Sequence, residues 1–521
     1  MLDLYDGEIL GLQDGLTRRI FSSIDLTNAY LNRIAEVQDG LRAVICTNPQ
    51  ALKVAQELDE ERRQDKLRGP LHGIPILVKD NICTRSEDGM DTTAGSRALV
   101  GATMQDAHVV QRLRQAGCVI IGKLSLSQFS WGRDWASLPC GWNSIVGQAT
   151  SPFYKDGNPS GSSSGSGIAA AIGLAAGTVG TETSGSIIAP SSRNNVVGIR
   201  PTVGLISRTG IIPFSPEYDS AGPICRTVAD AAILLGAMVG IDNNDKHTSH
   251  QPKNLTDYIA SLRHGALNGA RLGVPRQLFQ KIFDEKADRT ENDGPIWWMK
   301  PDFDRALAVL RSLGAEVIDV TIEHLEVLER SRDLKYRCEL KSAMNNFLGG
   351  LKDCQVHNLS EIITFNKVTP EESQDTLIEA EETLGVEDPR YAVTNSDVQD
   401  AKEVLDSAMQ KACIDAYVMP TCLFEAWSRA GYPQVVVPLG FAPEDIAPVQ
   451  LQDHPAHQTL DVWPGRPFGL TFAGTAWSEA KLISYAYGFE QATHHRLRRR
   501  PYDGAMPKTQ VVYRDAVQHD R

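Results

Sequence analysis

The hydrophobic positions follow two spacings along the chain, one typical of helices and one typical of buried strands. Between positions 24 and 64 apolar side chains recur every three or four residues, with an interruption at Asn48-Pro49, which predicts two helices. GIPILVKDN (73–81) is instead a short apolar run that Gly and Pro precede and polar residues follow. Such a run is typical of a buried strand that ends in a loop. The chain therefore begins with helices and then enters a sheet.

Helices and strands go on alternating towards the C-terminus. Residues 106–124 predict an amphipathic helix, a stop at Gly117 and a buried strand over 118–121, and residues 303–320 repeat this pattern. Thr227 is the predicted N-cap of an apolar helix. Further elements are predicted as strands at 414–421 and 432–441 and as a closing helix at 478–493. The alternation predicts an α/β layer structure.

Composition and charge narrow the class of protein. The 521 residues are 42% hydrophobic, which is enough for a large buried core. The formal net charge of −13 argues against a nucleic-acid or an anionic-membrane partner. The one dense basic run, Arg496, Arg498, Arg499 and Arg500, is interpreted as a solvated segment. No uncharged apolar run reaches the ~18 residues of a membrane span.

The first residues and the cysteines predict a cytoplasmic protein. MLDLYDGEIL lacks the basic start and the apolar stretch of a secretion signal. Nine cysteines lie between Cys46 and Cys422 without a C-x-x-C pair. This pattern favours buried thiols in a reducing compartment over disulfides or a zinc site.

A Ser- and Gly-rich stretch, NPSGSSSGSGIAAAIGLAAGTVGTETSGSIIAPSS (158–192), carries the main candidate chemistry. A flexible linker is disfavoured, because a small-residue helix pattern and a short strand follow the loop directly. A phosphate-binding loop is disfavoured, because neither a P-loop ending nor G-x-G-x-x-G is present. GSSSG (161–165) matches the G-x-S-x-G nucleophile elbow and nominates Ser163, but a turn precedes it where an elbow needs a strand.

A serine nucleophile served by a lysine is the fourth interpretation. A serine hydroxyl needs a base within hydrogen-bonding reach, and a lysine can serve once burial lowers its pKa. Lys79 ends an apolar strand, the Ser-rich loop offers a hydroxyl to relay a proton, and the TSGS turn (183–186) offers N–H groups for an oxyanion. For any one piece alone, a surface lysine or helix-capping serines would be the simpler explanation.

Taken together, these segments resemble the amidase signature family, and in particular its branch of peptide amidases and fungal amidases. LVKDN (77–81), SGSSSGS (160–166) and TETSGSI (181–187) match the family's three catalytic segments in the family's order. The resemblance covers essentially the whole chain and is weakest over 241–410.

The resemblance implies a role for each matching residue. Lys79 corresponds to the general base, Ser162 to the bridging serine with a cis peptide bond, and Ser186 to the nucleophile. The backbone N–H groups that would bind the oxyanion are those of Thr183, Ser184, Gly185 and Ser186. No metal or organic cofactor is expected, and none of the histidines is required.

The resemblance also implies the architecture and the activity. It predicts an α/β fold with a mixed, twisted central β-sheet covered by helices on both sides. The chain is expected to form a single domain over 1–521, with N-terminal helices at about 1–65 and a variable elaboration at about 241–410. The implied enzyme is an amidase that cleaves a linear carboxamide through an acyl-enzyme, with a small-molecule or peptide-like amide as substrate. Neither nucleic acid nor a membrane is an expected partner, and a homo-oligomer stays open.

Four positions depart from the family pattern. Ser184 stands where relatives usually carry Gly or Asp, and Ser164 stands where many carry Gly. Ile188 stands where other branches often carry Arg, and Arg193 where an aromatic or small residue is common. None of these removes a catalytic atom, but they leave the identity of the amide open. Specificity is expected to depend on parts of 131–145 and 325–440.

Three other functions stay open beside hydrolysis. An amine or alcohol could intercept the acyl-enzyme, which would make the protein an acyl transferase. The chain could be one component of a glutamine-dependent amidotransferase, or an inactive scaffold that keeps the fold without turnover.

Overall fold

A mixed sheet of 11 strands forms the centre of the structure, and helices flank it. The structure, a computed structural model, describes residues 3–253, 257–284, 296–367, 372–421, 423–450 and 459–513. Cys422 and parts of the predicted elaboration at 241–410 lie outside these described residues. The predicted α/β fold class is confirmed.

The strands of this sheet come from most of the chain. In chain order they are β1 (Val44–Thr47), β2 (Pro75–Lys79), β3 (Val119–Leu124), β4 (Gly177–Glu182), β5 (Val197–Arg200), β6 (Ser220–Cys225), β7 (Arg271–Val274), β8 (Glu316–Asp319), β9 (Ala416–Pro420), β10 (Gln434–Phe441) and β11 (Pro467–Ala473). Their spatial order is β1-β3-β2-β4-β6-β5-β10-β11-β9-β7-β8. β2 is parallel to both β3 and β4, and β7 is parallel to both β8 and β9, whereas the other neighbours are antiparallel.

The helices occupy the segments between and around these strands. The first eight are α1 (Ile9–Thr17), α2 (Ser23–Leu41), α3 (Ala51–Arg63), α4 (His108–Gln115), α5 (Ser164–Ile172), α6 (Ile188–Arg193), α7 (Val228–Met238) and α8 (Gln280–Asp284). The others are α9 (Lys300–Ser312), α10 (Leu325–Glu329), α11 (Asp333–Gly349), α12 (Leu359–Asn366), α13 (Asp375–Glu381), α14 (Asp397–Ala412), α15 (Glu425–Arg429) and α16 (Glu479–Thr493).

The predicted elements agree with these bounds to within a few residues. Two helices separated at Asn48-Pro49 are present as α2 and α3, and the buried strand predicted within 73–81 is β2. The Thr227 side chain accepts a hydrogen bond from the Asp230 N–H at 3.1 Å, which confirms the predicted N-cap of α7.

α5, the helix after the Ser-rich loop, packs more closely than larger side chains would allow. A Cβ atom on Gly165 would lie 2.2 Å from the Ala43 carbonyl oxygen, and one on Gly167 would lie 2.7 Å from Nδ2 of Asn194. Every residue of α5 is buried. The small side chains, which are also typical of a linker, therefore let this helix approach its neighbours closely. This packing fixes the loop that leads into the helix.

Two predictions about the surface hold only in part. Arg496 is only 9% exposed, because its guanidinium pairs with Asp6 at 2.9 Å and donates to the carbonyl oxygens of Tyr5 and Ala171. The basic run is therefore not a uniformly solvated segment, since the chain folds back there onto its own N-terminal residues. Five of the eight described cysteines are buried as expected, Cys46 and Cys140 are half-buried, and Cys413, at the end of α14, is exposed.

Among the residues that the structure describes, no helix has both the length and the apolar character needed to cross a membrane.

Candidate active site

Two neighbouring parallel strands, β2 and β4, bring the candidate residues to one edge of the sheet. Val78 of β2 pairs with Val179 of β4, so Lys79 at the end of β2 lies beside the end of β4. Glu182 is the last residue of β4, and the TSGS turn follows it directly. Carboxyl ends of parallel strands meet at the same edge of a sheet, which is where α/β proteins commonly bind ligands.

Lys79 is completely buried and makes three hydrogen bonds. Its Nζ lies 2.7 Å from Oγ of Ser162, 2.9 Å from Oγ1 of Thr181 and 3.3 Å from the Thr181 carbonyl oxygen. The predicted strand-end lysine and one hydroxyl of the Ser-rich loop are therefore in direct contact.

Burial makes this lysine unusually acidic. It lowers the pKa of Lys79 to about 7, because the ammonium form loses its hydration, while the negative charges of Asp219 and Glu182 oppose the change. A large fraction of Lys79 is consequently neutral near pH 7 and can accept a proton.

The two serines of the predicted triad differ in exposure. Ser162 is fully buried, and the Gly161–Ser162 peptide bond is cis, as the resemblance implies. Ser186 is half-buried and lines a cavity. Its hydroxyl makes no hydrogen bond to any of the described residues, whereas its carbonyl oxygen accepts from the Ser163 N–H at 3.3 Å. The one partly accessible hydroxyl of the three candidate serines, 162, 163 and 186, is therefore that of Ser186.

The TSGS turn presents a row of unused backbone donors. Within the described part of the chain, the N–H groups of Thr183, Ser184, Gly185 and Ser186 have no hydrogen-bond acceptor. Gly185 has φ of +82°, in the left-handed region, and a Cβ there would lie 2.2 Å from the ring of Phe424. Glycine thus lets the backbone turn while Phe424 packs against it.

A buried carboxylate holds the end of this turn. Oε2 of Glu182 accepts hydrogen bonds from the N–H groups of Ile187 and Ile188, at 2.7 and 3.0 Å. Its other oxygen pairs with Arg200 at 3.0 Å and accepts from the Ser428 hydroxyl at 3.1 Å. Glu182 therefore compensates the positive end of the α6 helix dipole. The N–H groups of the preceding residues, 183–186, stay unpaired among the described residues.

A second carboxylate, which is half-buried, supports the other side of the turn. Asp219 accepts from Oγ1 of Thr183 at 2.5 Å and from the N–H groups of Phe214 and Ser215, both at 2.9 Å. Burial raises the pKa of Asp219, and these hydrogen bonds oppose the change. Asp219 thereby fixes Thr183 while its charge favours the protonated form of Lys79.

A cavity of about 780 Å³ opens over the turn and provides space for a substrate. Its wall includes Ser186 and its neighbours in the turn, and also residues from both segments that were expected to affect specificity. From the first segment come Trp131, Trp135, Pro139 and Cys140, and from the second come residues 328–333, Tyr336 and 424–425, together with Arg429.

Three of the departures from the family pattern, at Ser184, Ile188 and Arg193, have different environments. Oγ of Ser184 accepts from Nη2 of Arg332 at 3.3 Å at the cavity wall. Arg193 also lines the cavity and pairs with Asp461 at 2.8 Å. The Ile188 side chain is fully buried outside that wall, so it is not placed to contact a substrate in the cavity.

The geometry disfavours Ser163 as the nucleophile of an elbow. Ser163 is fully buried, lies outside the cavity wall and donates to the Thr181 carbonyl oxygen at 3.0 Å. Its hydroxyl fixes the loop to β4, where it has no access to a ligand in the cavity.

Several supporting residues were not singled out from the sequence. Thr181 bonds Lys79 and accepts from Nδ2 of Asn81 at 3.0 Å, and Glu182 anchors the turn. Thr181, Asn81 and Glu182 lie inside the segments that match the family, so those segments could have indicated them. Arg332 lies in the variable region, where no motif marks it. Within the described ranges, no cluster of His, Cys, Asp and Glu side chains has the arrangement of a metal site.

Comparison with known proteins gives consistent matches. Residues 25–483 match the sequence model of the Amidase family. A protein of Arthroderma benhamiae whose name suggests an amidase is 37% identical, over 96% of this chain and 87% of its own length. The native peptide amidase from Stenotrophomonas maltophilia is 37% identical with a TM-score of 0.82, over 95% of this chain and 98% of that one. A glutamyl-tRNA(Gln) amidotransferase component of Chloroflexus aurantiacus is 37% identical, over 62% of either chain.

Proposed function

The chain belongs to the amidase signature family, and from this premise we propose that it hydrolyses a carboxamide C–N bond through a Ser-Ser-Lys triad and an acyl-enzyme. The observation that carries the proposal is the buried contact of 2.7 Å between Nζ of Lys79 and Oγ of Ser162, beside a serine that faces a cavity. Lys79 is the base, Ser162 the relay and Ser186 the nucleophile.

Acylation begins with proton transfer away from Ser186. Neutral Lys79 accepts the Ser162 proton while Ser162 accepts that of Ser186, and Oγ of Ser186 attacks the amide carbonyl carbon. No hydrogen bond yet joins Ser186 to Ser162, so substrate binding must close this link. Catalytic hydrogen bonds are commonly long in unliganded enzymes and tighten in the complex.

The unpaired N–H groups of the TSGS turn stabilise the resulting oxyanion. Four donors without internal acceptors point to a site for a negative oxygen next to the nucleophile. The proton held by Lys79 then returns through Ser162 to the leaving nitrogen, and the C–N bond breaks. Water repeats the sequence on the acyl-enzyme and releases the acid.

The proposed substrate is a small-molecule or peptide-like linear amide. The likeness to peptide amidase over nearly the full length of both chains supports this class. The cavity of about 780 Å³ supports it as well, because that volume exceeds what a simple primary amide would fill.

A glutamine-dependent amidotransferase role is the second candidate, because the Chloroflexus aurantiacus protein is as similar in identity as the amidases. That match covers 62% of the chain, whereas the match to peptide amidase covers 95%. Over nearly the whole chain, a glutamyl-tRNA(Gln) amidotransferase component of Acinetobacter baumannii is 28% identical, whereas peptide amidase is 37% identical. The higher identity over the full length favours an amidase. Amide hydrolysis by the purified chain without a partner would support the first candidate.

Active-site labelling tests the assignment of the catalytic roles. A fluorophosphonate reacts with activated serines, so we expect one adduct per chain, on Ser186. Ser186→Ala should abolish the adduct and turnover, and Lys79→Met should reduce both by about 10⁴-fold or more, because base and nucleophile act as a unit. Peptide mapping by mass spectrometry locates the adduct.

Ser163→Ala is the matched control for this experiment. It removes a neighbouring hydroxyl that does not face the cavity, so labelling should continue. An adduct on Ser163, or undiminished labelling of Lys79→Met at neutral pH, would contradict the mechanism. A folded chain that neither reacts with the phosphonate nor cleaves any amide would instead be a scaffold.

A further inference from the structure

Of the arginines that the structure describes, three are buried and line the cavity: Arg193, which pairs with Asp461, and Arg332 and Arg429. Arg332, just before α11, is 8% exposed, and Arg429, at the end of α15, is 2% exposed. Arg332 lies in the variable region at about 241–410, whereas Arg429 directly precedes the segment 430–441. Buried guanidinium groups are costly unless carboxylates or other acceptors compensate their charge and N–H groups.

Compensation is incomplete at both arginines. Nη2 of Arg332 contacts Oγ of Ser184 and Oε2 of Glu425, each at 3.3 Å, but its buried Nη1 bonds to no described residue. Nε and Nη1 of Arg429 are likewise buried without a partner among the described residues, and its Nη2 donates to the Arg330 carbonyl oxygen. Both guanidinium groups therefore keep N–H donors that a further acceptor can use once a neighbouring side chain moves.

The acidic residues of the cavity wall do not compensate the positive charges of the buried Arg332 and Arg429. Glu329, Asp333 and Glu425 are exposed, and Asp461 is committed to Arg193. Glu425, which is the acidic partner of Arg332, has a side chain that is 48% exposed. Rotation of one exposed side chain would therefore open the Arg332 guanidinium to a different carboxylate.

Packing holds Arg332 in place for such a partner. Its guanidinium lies over the ring of Tyr336, 5.2 Å from the ring centre, and it reaches Ser184 two residues before the proposed nucleophile. A planar guanidinium fixed in this way recognises a carboxylate with two parallel hydrogen bonds.

We infer that Arg332, aided by Arg429, binds a carboxylate group of the substrate, so that the amides cleaved here are those that carry a carboxylate elsewhere in the same molecule. This inference rests on the proposed function and specifies its substrate class. The carboxylate belongs either to the acyl part or to the leaving amine, and the same guanidinium chemistry serves both cases.

Matched pairs of amides test the inference. Glutaramic acid against pentanamide places the charge on the acyl side, and N-acetylglycine against N-propylacetamide places it on the amine side. We expect kcat/KM to favour the charged member of at least one pair by about tenfold or more, as for a charged hydrogen bond. Glutarate should also protect Ser186 from the fluorophosphonate, a readout that needs no turnover.

Substitutions of Arg332 and of its acidic partner Glu425 should change the preference for charged amides in opposite directions. Arg332→Met should lower the charged-to-neutral ratio about tenfold, mainly through KM, and Arg332→Lys should retain part of it. Glu425→Gln removes the competing carboxylate and should raise the ratio. Arg311→Gln, at an exposed arginine away from the cavity, should leave the ratio unchanged.

The outcomes separate this inference from the proposed function. Neutral amides cleaved as well as charged ones, or an equal ratio in wild type, Arg332→Met and Glu425→Gln, would overturn the carboxylate site while leaving the amidase intact. Failure of every amide together with failure of the phosphonate would overturn the amidase itself and the inference with it.

Discussion

Two lysines on adjacent strands, Lys79 of β2 and Lys123 of β3, are both fully buried, yet their partners differ. Lys123 donates to the Ile82 carbonyl oxygen and to the hydroxyl of Thr92, which is buried and lies outside the cavity wall. Lys79 contacts Ser162, a hydroxyl that can both give and accept a proton. Burial lowers the pKa of both lysines, so the partner is what distinguishes the proposed base from a structural lysine.

The pH dependence of activity should report the titration of Lys79. The neutral amine is the active form, so kcat/KM should be low at pH 5, rise through a midpoint near pH 7 and level off above pH 8. The direction follows from the burial that lowers the lysine pKa. The measurement is kcat/KM for one amide between pH 5 and pH 10 at constant ionic strength.

A second measurement connects that midpoint with Lys79. The rate of fluorophosphonate labelling of Ser186 should follow the same curve, because both reactions need the deprotonated base. A midpoint near the usual lysine value of about 10, or a flat profile from pH 6 to pH 9, would mean that Lys79 is not the base.

At the scale of elements, the TSGS turn depends on a contact that is far away in sequence. Phe424, just before α15, packs against Gly185, and Glu182 fixes the N–H groups that follow the turn. The motif predicted the turn and its glycine. The aromatic ring that closes over it comes from more than two hundred residues later and could not be paired with it from the sequence.

Gly185→Ala should impair catalysis more than binding. The new Cβ would lie 2.2 Å from the Phe424 ring, and the backbone has φ of +82°, so the turn must move and misalign its N–H groups. Loss of oxyanion donors costs about 10²–10³ in kcat. Steady-state kinetics should show this fall in kcat with a smaller change in KM.

The double variant Gly185→Ala with Phe424→Ala separates the clash from the backbone strain. Removing the ring relieves the contact, so kcat should recover in part relative to Gly185→Ala, and Phe424→Ala alone is the control. The strain of alanine at positive φ, about 1–2 kcal/mol, would remain. Full activity of Gly185→Ala would show that these N–H groups do not bind the oxyanion.

Element positions were more predictable from the sequence than the order of strands. The apolar run at 73–81 and the helix with Thr227 as N-cap depend on local patterns, and both are observed. The neighbours of β5, which are β6 and β10, depend on pairing between segments that no local pattern relates. The same limit applies to Arg332, whose proposed role depends on where α11 begins relative to Ser184.

At the scale of the whole molecule, buried arginines join distant segments by donating hydrogen bonds to the backbone carbonyl oxygens of those segments. Arg33 of α2 is fully buried and donates to Ile172 and Gly173 at the end of α5, at 2.8 and 2.7 Å. It also donates to Pro507 and Thr509 near the C-terminus, at 3.3 and 2.7 Å. The N-terminal helices, the helix behind the Ser-rich loop and the last described residues thus share one anchor, which favours a single domain.

Arg33→Met should weaken the whole fold rather than one part of it. Four carbonyl oxygens would lose their donor in the interior, which should lower the free energy of unfolding by about 2–5 kcal/mol. If the chain is a single cooperative domain, urea unfolding followed by tryptophan fluorescence and by far-UV circular dichroism should give one shared transition, shifted to lower urea. Arg18→Met is the matched control, because Arg18 forms an exposed pair with Asp14, and such pairs contribute little. Two separate transitions, with only the first shifted, would instead make the N-terminal helices an independent unit and would remove the argument for one domain.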